Sequence, residues 1–155
     1  RLVLNGDGQN KGVLNVISNF GGTKAANLAH YYAGISYLKM GEFENAVKHL
    51  KDFSTDAKQV QLLASGCLGD AYAELNKKED AIEAYKKAAN TFAEDETNSS
   101  EYLFRAALLL ETTGKNAEAL ELYKELKTKF PKTDKGFQAD KYIYRLNIEK
   151  NDLAE

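Results

Sequence analysis

The sequence predicts an all-α fold in which one helical hairpin recurs along the chain. Its 155 residues include one proline and scattered glycines, so few positions interrupt a helix. In segment 29–53, the residues Phe43, Ala46 and Leu50 form an apolar stripe at helical spacing, and a turn separates this helix from the one before it. The same pattern returns twice further along the chain, and no strand pattern is evident.

The repeated hairpin combines small and aromatic residues at matching places. Ala33 and Gly34 are small enough for a second helix to approach closely, and Gly41 supplies the permissive backbone that ends the first helix. A shift of 35 residues carries Gly34 onto Gly69, and a further shift of 38 carries it onto Ala107. The matching positions are Gly34, Tyr37, Ala46, Leu50 and Phe53 in the first unit, Gly69, Tyr72, Ala81, Tyr85 and Ala88 in the second, and Ala107, Leu110, Ala119, Tyr123 and Leu126 in the third.

A helix-turn-helix unit of about 34 residues with these small and aromatic positions resembles the tetratricopeptide repeat (TPR). The resemblance spans about residues 23–131, and Pro131 closes the third unit. It implies a right-handed α-α superhelix of about eight helices. The sequence departs from the family pattern at Asn76, which replaces the turn glycine of the second unit. The position of the family's usual Trp holds His30, Ser65 and Leu103 in the three units.

The apolar spacing and the turn residues predict where each helix lies. We expect helices near residues 12–20, 24–40, 43–54, 57–75, 78–93, 99–113, 116–130 and 135–149. We expect residues 1–155 to form a single domain, with a degenerate leading helix at 12–20, repeats at about 27–60, 62–95 and 100–133, and a trailing capping helix at about 135–149. Solenoids need such atypical ends to cover their core.

Two helix junctions share a second signature. Both combine a Phe, a Thr, an Ala and a Tyr at the same spacing, and the Thr is expected to cap the following helix. The matched residues are Phe20, Thr23, Ala29 and Tyr32 at the first junction and Phe130, Thr133, Ala139 and Tyr142 at the second. Two further helix starts are predicted from capping-box spacing, at Asp56 with Gln59 and at Asn98 with Glu101. Segment 94–100 is predicted to be an acidic, mobile loop.

Composition argues against several classes of partner. The formal net charge is −2, which gives no electrostatic case for nucleic acid. No apolar run approaches the roughly 18 residues of a membrane span, so we expect no membrane contact by this domain itself. The single cysteine, Cys67, excludes a disulfide within the chain.

The residues that could carry chemistry do not form a recognisable catalytic or metal site. His30 and His49 lie outside any metal-ligand motif, so we expect His30 at a helix interface and His49 in solvent. Cys67 is flanked by Gly66 and Leu68 in a helical pattern and is interpreted as a small core residue. We therefore predict a protein that is not an enzyme and that uses no cofactor.

The resemblance implies that the first helices of the hairpins line a concave groove for a protein or peptide partner. The predicted groove residues are Tyr31, Tyr32, Ile35, Leu38, Asp70, Phe104, Arg105 and Leu108. Tyr31, Tyr32, Phe104 and Arg105 are the expected energetic anchors, although Tyr31, Ile35 and Phe104 could instead pack against neighbouring helices. Chaperone-binding members of the family use a basic clamp for an acidic C-terminus. Of its five positions, here Tyr31, Ile35, Cys67, Glu101 and Arg105, only Arg105 agrees, which disfavours that function.

A narrower resemblance concerns cellular location. The segments NFGGTKAANLAHYYAGISYLKMGEFENAV and KFPKTDKGFQADKYI are similar to bacterial TPR proteins of the cell envelope, in which an N-terminal membrane anchor precedes the repeats. This implies a periplasm-facing role in envelope protein assembly or quality control, with the anchor preceding Arg1. The alternatives are a cytoplasmic adaptor and a self-associating structural protein that forms a homo-oligomer through its end helices, 12–20 and 134–149.

Overall fold

The computed structural model describes residues 1–9 and 11–152, and this part of the chain confirms the predicted all-α fold. It contains no β-strand, only an isolated bridge between Gly6 and Lys11. Nine helices lie within the described residues. They are α1 (Leu2–Asn5), α2 (Val13–Asn19), α3 (Lys24–Lys39), α4 (Phe43–Leu50), α5 (Lys58–Glu74), α6 (Lys78–Thr91), α7 (Glu96–Thr112), α8 (Asn116–Lys129) and α9 (Asp134–Asp152). The eight predicted helices are present, and α1 is an additional single turn.

The helices follow one another as hairpins in a solenoid. Helices α3 and α4 pack together, as do α5 with α6 and α7 with α8, and each second helix also packs on the first helix of the next hairpin. The first helices α3, α5, α7 and α9 contact one another in that order and so form one continuous wall. The division into repeats at about 27–60, 62–95 and 100–133 remains a prediction.

Each hairpin depends on a small residue where its two helices cross. A Cβ atom added at Gly34 would lie 2.4 Å from Cγ of Leu50, and one added at Gly69 would lie 2.5 Å from Cδ1 of Tyr85. These distances are far below van der Waals contact, so only glycine permits the observed separation. Ala33 is fully buried beside the first crossing. The predicted close approach of the helices is therefore confirmed.

The turns inside the three hairpins have the same backbone geometry. Gly41 and Gly114 have φ of 76°, and Asn76 has φ of 57° at the equivalent position. In the first turn, the amide of Gly41 donates to the carbonyl of Leu38 and the amide of Glu42 donates to the carbonyl of Tyr37, which is the Schellman pattern. Asparagine tolerates this left-handed region better than other non-glycine residues, which explains how Asn76 replaces glycine.

The two predicted threonine caps are present and have nearly identical hydrogen bonds. Oγ1 of Thr23 accepts from the amide of Ala26 at 3.1 Å, and Oγ1 of Thr133 accepts from the amide of Gly136 at 3.1 Å. Each hydroxyl also donates to the carbonyl of the Phe three residues earlier. The α2–α3 and α8–α9 junctions are therefore the same local structure.

Segment 94–100 is not the loop that its acidic composition predicted. Helix α7 begins at Glu96, and Asp95 caps it by accepting a hydrogen bond from the amide of Asn98 at 3.2 Å. Ser99 and Ser100 are buried, and the Ser99 hydroxyl donates to the carbonyl of Phe92. The predicted capping box at Asn98 is wrong because the helix starts one turn earlier.

The start of α5 also differs from the prediction. The residue preceding α5 is Ala57, which makes no side-chain capping bond, so the capping box expected at Asp56 is wrong. Gln61 instead accepts a hydrogen bond from the amide of Thr55 through Oε1. Helix α4 ends at Leu50 rather than near residue 54, although Phe53 beyond its end is buried.

The two histidines form a pair at the α3–α4 interface. Nδ1 of His30 lies 3.0 Å from Nδ1 of His49, and the His49 ring stacks on Tyr37 with a centroid distance of 5.5 Å. His30 is at a helix interface as predicted, but the prediction that His49 is solvated is wrong, because the ring is half-buried. Burial, His30 and Lys48 together lower the pKa of His49.

Overpacking the first crossing should destabilise the fold. Because Ala33 is fully buried, Ala33→Leu should lower the free energy of unfolding by about 1–3 kcal/mol. Ala25→Leu, at an exposed position of the same helix, is the matched control and should change stability little. Urea denaturation measures both variants, and equal effects would contradict the close crossing.

His49 should make stability depend on pH. The lowered pKa of His49 means that the unfolded chain binds the proton more readily than the folded one. Stability is therefore complete above the unfolded pKa of about 6.5 and falls as the pH drops below it. The melting temperature should decrease between pH 7.5 and 5.5, and His49→Gln should reduce this dependence. An unchanged pH profile in the variant would show that His49 does not contribute to the pH dependence.

Candidate protein-binding groove

One cleft runs along the wall formed by the first helices, and we call it the groove cleft. It has a volume of about 540 Å³. It is lined by Leu38, Lys39, Gly41, Phe43, Asp70, Ala73, Glu74, Tyr85 and Arg105. Three predicted groove residues, Leu38, Asp70 and Arg105, are thus brought together by α3, α5 and α7. Phe43 and Tyr85 were not predicted to line it, because both come from second helices.

Tyr31 and Phe104 do not offer the exposed aromatic surface expected of anchors. Tyr31 is 9% exposed, and its ring centroid lies 5.4 Å from that of Phe53. Phe104 is 6% exposed and packs against the rings of Tyr123 and Tyr142. The structure therefore supports the packing alternative for these two residues.

The remaining predicted residues are divided between two places. Ile35 and Leu108 are half-buried, and Ile35 packs against the small core cluster around Tyr31. Tyr32 is 48% exposed but faces a separate cleft, where it lies with residues of the N-terminal segment such as Leu2 and Val13. Tyr32 is therefore not part of the groove cleft.

A charged network forms the floor of the groove cleft. Oδ1 of Asp70 accepts hydrogen bonds from the Tyr85 hydroxyl and from Nη1 of Arg105, both at 2.7 Å. Nε of Arg105 donates to Oε1 of Glu101 at 3.0 Å, and Nζ of Lys135 lies 3.7 Å from the other oxygen of Glu101. The network therefore ties α5, α6, α7 and α9 to one another.

Burial and pairing shift the pKa values of this network. Burial raises the pKa of Tyr85, and its hydrogen bond to Asp70 raises it further, so the phenol stays protonated and donates. Burial alone would lower the pKa of Arg105, but Asp70 and Glu101 outweigh burial and raise it. The guanidinium is thus a permanently charged group whose principal contacts are within the protein.

A second network of the same kind lies one repeat further on. The Tyr123 hydroxyl donates to Glu111, and Nη2 of Arg145 donates to the other oxygen of the same carboxylate. In both networks a Tyr from a second helix and an Arg from the next first helix meet a carboxylate. Sequence matching aligned Tyr85 with Tyr123 but missed the networks, because the 38-residue shift carries Asp70 onto Leu108 rather than Glu111.

The residues that could carry chemistry have structural roles. Burial and, to a smaller extent, Asp70 raise the pKa of Cys67 to about 11, so its thiol is protonated at neutral pH and a poor nucleophile. Within residues 1–9 and 11–152, no three His, Cys, Asp or Glu side chains are arranged to hold a metal ion. Over the same residues, no helix is long and apolar enough to cross a membrane.

Removing the phenol hydroxyl of Tyr85 should weaken the network without creating a cavity. Tyr85→Phe should lower the free energy of unfolding by about 1 kcal/mol, because Asp70 loses one of its donors. Tyr144→Phe is the control, since that side chain is 71% exposed. Thermal denaturation of both variants measures the difference, and equal stabilities would show that the Tyr85 hydrogen bond contributes nothing.

Comparison with known proteins identifies the family. A sequence model of the tetratricopeptide repeat matches residues 31–99 and, overlapping them, residues 68–133. Neither a curated protein nor a solved structure gives a match. The matched range covers the second half of α3, the helices α4 to α8, the three left-handed turns and the groove cleft. The chain belongs to the tetratricopeptide repeat family.

Proposed function

We propose that this protein is an interaction scaffold that binds a segment of a partner protein in the groove cleft. Tetratricopeptide repeats generally mediate protein–protein interaction. The observation that carries the proposal is the cleft itself, in which the apolar side chains of Leu38 and Phe43 lie beside the charged Lys39 and Glu74. Such a combination of apolar and charged side chains suits a peptide or a helix of a partner.

The charged floor should make the cleft a rigid binding surface. Asp70 is held by Tyr85 and Arg105 at 2.7 Å each, so the polar groups of the floor are ordered before any partner arrives. A preordered surface loses little conformational freedom on binding, which favours affinity. We infer that an apolar partner side chain packs against Leu38 and Phe43, while Lys39 and Glu74 select charged neighbours.

The pairing of Arg105 also argues against capture of a C-terminal carboxylate. Two carboxylates, Asp70 and Glu101, already surround the guanidinium at 2.7 and 3.0 Å. An acidic C-terminus would therefore meet a guanidinium whose charge Asp70 and Glu101 already balance. The groove cleft is therefore proposed to bind an internal segment of the partner.

A role without catalysis is part of the proposal. The family fold is typically a non-catalytic interaction fold. The raised pKa of Cys67 and the mutual contact of the two histidines give these residues structural explanations. They leave no sign of an activated nucleophile or of a general base aimed at a substrate.

We also propose the cellular setting that the sequence segments NFGGTKAANLAHYYAGISYLKMGEFENAV and KFPKTDKGFQADKYI imply. In that setting, the scaffold assists protein assembly or quality control in a bacterial cell envelope. Its support is the resemblance of these segments to envelope TPR proteins. Fractionation of source cells with an antibody against this chain tests the setting, since a wholly cytoplasmic signal would favour the adaptor alternative.

Changing the groove cleft should abolish partner binding while the fold survives. In Leu38→Asp/Glu74→Lys, a charge replaces the apolar contact and the rim charge is reversed, so affinity should fall by a factor of about ten or more. The measurement is capture of proteins from a lysate of the source cells, followed by calorimetry with the segment identified. Melting curves of each variant show whether the fold is retained.

The matched control is Lys87→Glu, which reverses an exposed charge on α6 away from the cleft. It should bind the same partner with unchanged affinity. A partner that binds the wild type and the cleft variant equally well, but not the control, would place the binding surface on the second helices.

A further inference from the structure

A stripe of exposed side chains runs along the last helix. Phe137 is 85% exposed, Tyr144 is 71% exposed and Ile148 is 41% exposed, and Lys141 lies between them on the same face. We call these four residues the α9 stripe. Their spacing of four, three and four residues is the spacing of a coiled-coil seam. The opposite face of α9 packs on α8 through the buried Ala139 and Leu146, so the helix has two apolar faces.

The internal repeat shows what covers the same face elsewhere in the chain. Because the α2–α3 and α8–α9 junctions match, the α9 stripe corresponds to Asn27, Tyr31, Gly34 and Leu38 of α3. There, Asn27 donates to the carbonyl of Ser54, Tyr31 packs on Phe53, and Gly34 faces Leu50. In α3 the first three of these positions are therefore covered by α4 and the residues that follow it, and Leu38 lines the groove cleft.

Tyr144 prevents another helix from crossing the α9 stripe as closely as α4 crosses α3. It stands at the position of Gly34, Gly69 and Ala107, where each helix crosses its partner. At Gly34 and Gly69 even a Cβ atom would lie within 2.5 Å of the neighbouring side chain. A phenol at this position excludes the close crossing, so the occupant of the stripe must approach at a greater distance.

We propose that the α9 stripe binds the same stripe of a second copy of this chain, with the two α9 helices antiparallel. In this arrangement Phe137 packs against the partner's Ile148, and Lys141 lies over the ring of the partner's Tyr144. Each of these pairs occurs twice in the dimer, with the roles of the two copies exchanged, as a two-fold symmetric contact requires. The ammonium of Lys141 is attracted to the face of the tyrosine ring.

Charge favours the antiparallel arrangement over a parallel one. Parallel helices would place Lys141 directly against the partner's Lys141 in the seam, where like charges repel. The antiparallel register instead places Gln138 beside the partner's Arg145, and Asp140 beside the partner's Asn147. Neither flanking pair joins two charges of the same sign.

The size of the stripe indicates a weak, reversible dimer. An aromatic side chain buries about 150–250 Å². Two aromatic side chains and Ile148 from each copy therefore remove on the order of 800 Å² in total, below the roughly 1,200–2,000 Å² of stable interfaces. The groove cleft is lined by residues of α3 to α7, so it stays open in the dimer and each dimer offers two clefts.

Sedimentation equilibrium of the full chain at concentrations up to about 1 mM tests the proposal. The wild type should show a monomer–dimer equilibrium, and Phe137→Ser and Tyr144→Ser should each raise the dissociation constant at least tenfold. Both residues are exposed, so melting temperatures should not change. A wild type that stays monomeric at every concentration would overturn the proposal.

Tyr32→Ser is the matched control, because Tyr32 is a 48% exposed tyrosine at the other end of the array. It should dimerise like the wild type. Loss of the dimer in this variant would show that opposite ends of the array stack on each other, and would overturn the antiparallel contact.

Disulfide trapping tests the register directly. In a Cys67→Ala background, a Phe137→Cys chain and an Ile148→Cys chain are mixed under mild oxidation. The antiparallel register predicts that the mixed disulfide forms in preference to either disulfide between identical chains. Predominant linkage between two Phe137→Cys chains would show a parallel arrangement instead.

Discussion

The close crossing of the two helices in each hairpin is the constraint on which the rest of the structure depends. Gly34 allows Leu50 to lie against the α3 backbone, and Gly69 does the same for Tyr85 on α5. In the third hairpin Ala107 and Tyr123 take these places, and both are fully buried. Because these crossings hold the two helices of each hairpin at short range, the first helices can stack side by side as one wall.

The tyrosine at the crossing also links stability to the proposed binding surface. The Tyr85 ring packs at the crossing, while its hydroxyl reaches Asp70 and, through it, Arg105 of the next first helix. One side chain thus packs the hairpin internally and positions the charged floor of the groove cleft. The floor charges that a partner would meet are consequently the same charges that join adjacent repeats.

Several features that depend on a few neighbouring residues could be predicted from the sequence, although the capping boxes at Asp56 and Asn98 were wrong. Of the features that depend on packing between helices, the close crossings at Gly34 and Gly69 could be predicted, but the contacts of individual side chains could not. The Thr23 and Thr133 caps and the turn at Asn76 follow from local backbone chemistry, and they were predicted correctly. His49 lies in a charged segment, so its stacking on Tyr37 from another helix left no local signal.

The candidate site could be predicted only in part, because the sequence does not show which face of each helix stays exposed. Leu38, Asp70 and Arg105 were predicted to share a groove, and they line one cleft. Tyr31 and Phe104 are buried by Phe53 and by Tyr123, whose approach depends on the angle between helices rather than on spacing along one helix. The family resemblance indicated which helices line the cleft, but not which of their side chains remain accessible.

Site-specific photo-crosslinking in the source cells tests the central claim, binding in the groove cleft, most directly. A photoreactive residue replaces Leu38 in one strain and Lys87, on the outer surface of α6, in another. Position 38 should crosslink to a defined segment of a partner protein, and position 87 should not. Crosslinks to the same partner segment only from position 87 would contradict this claim.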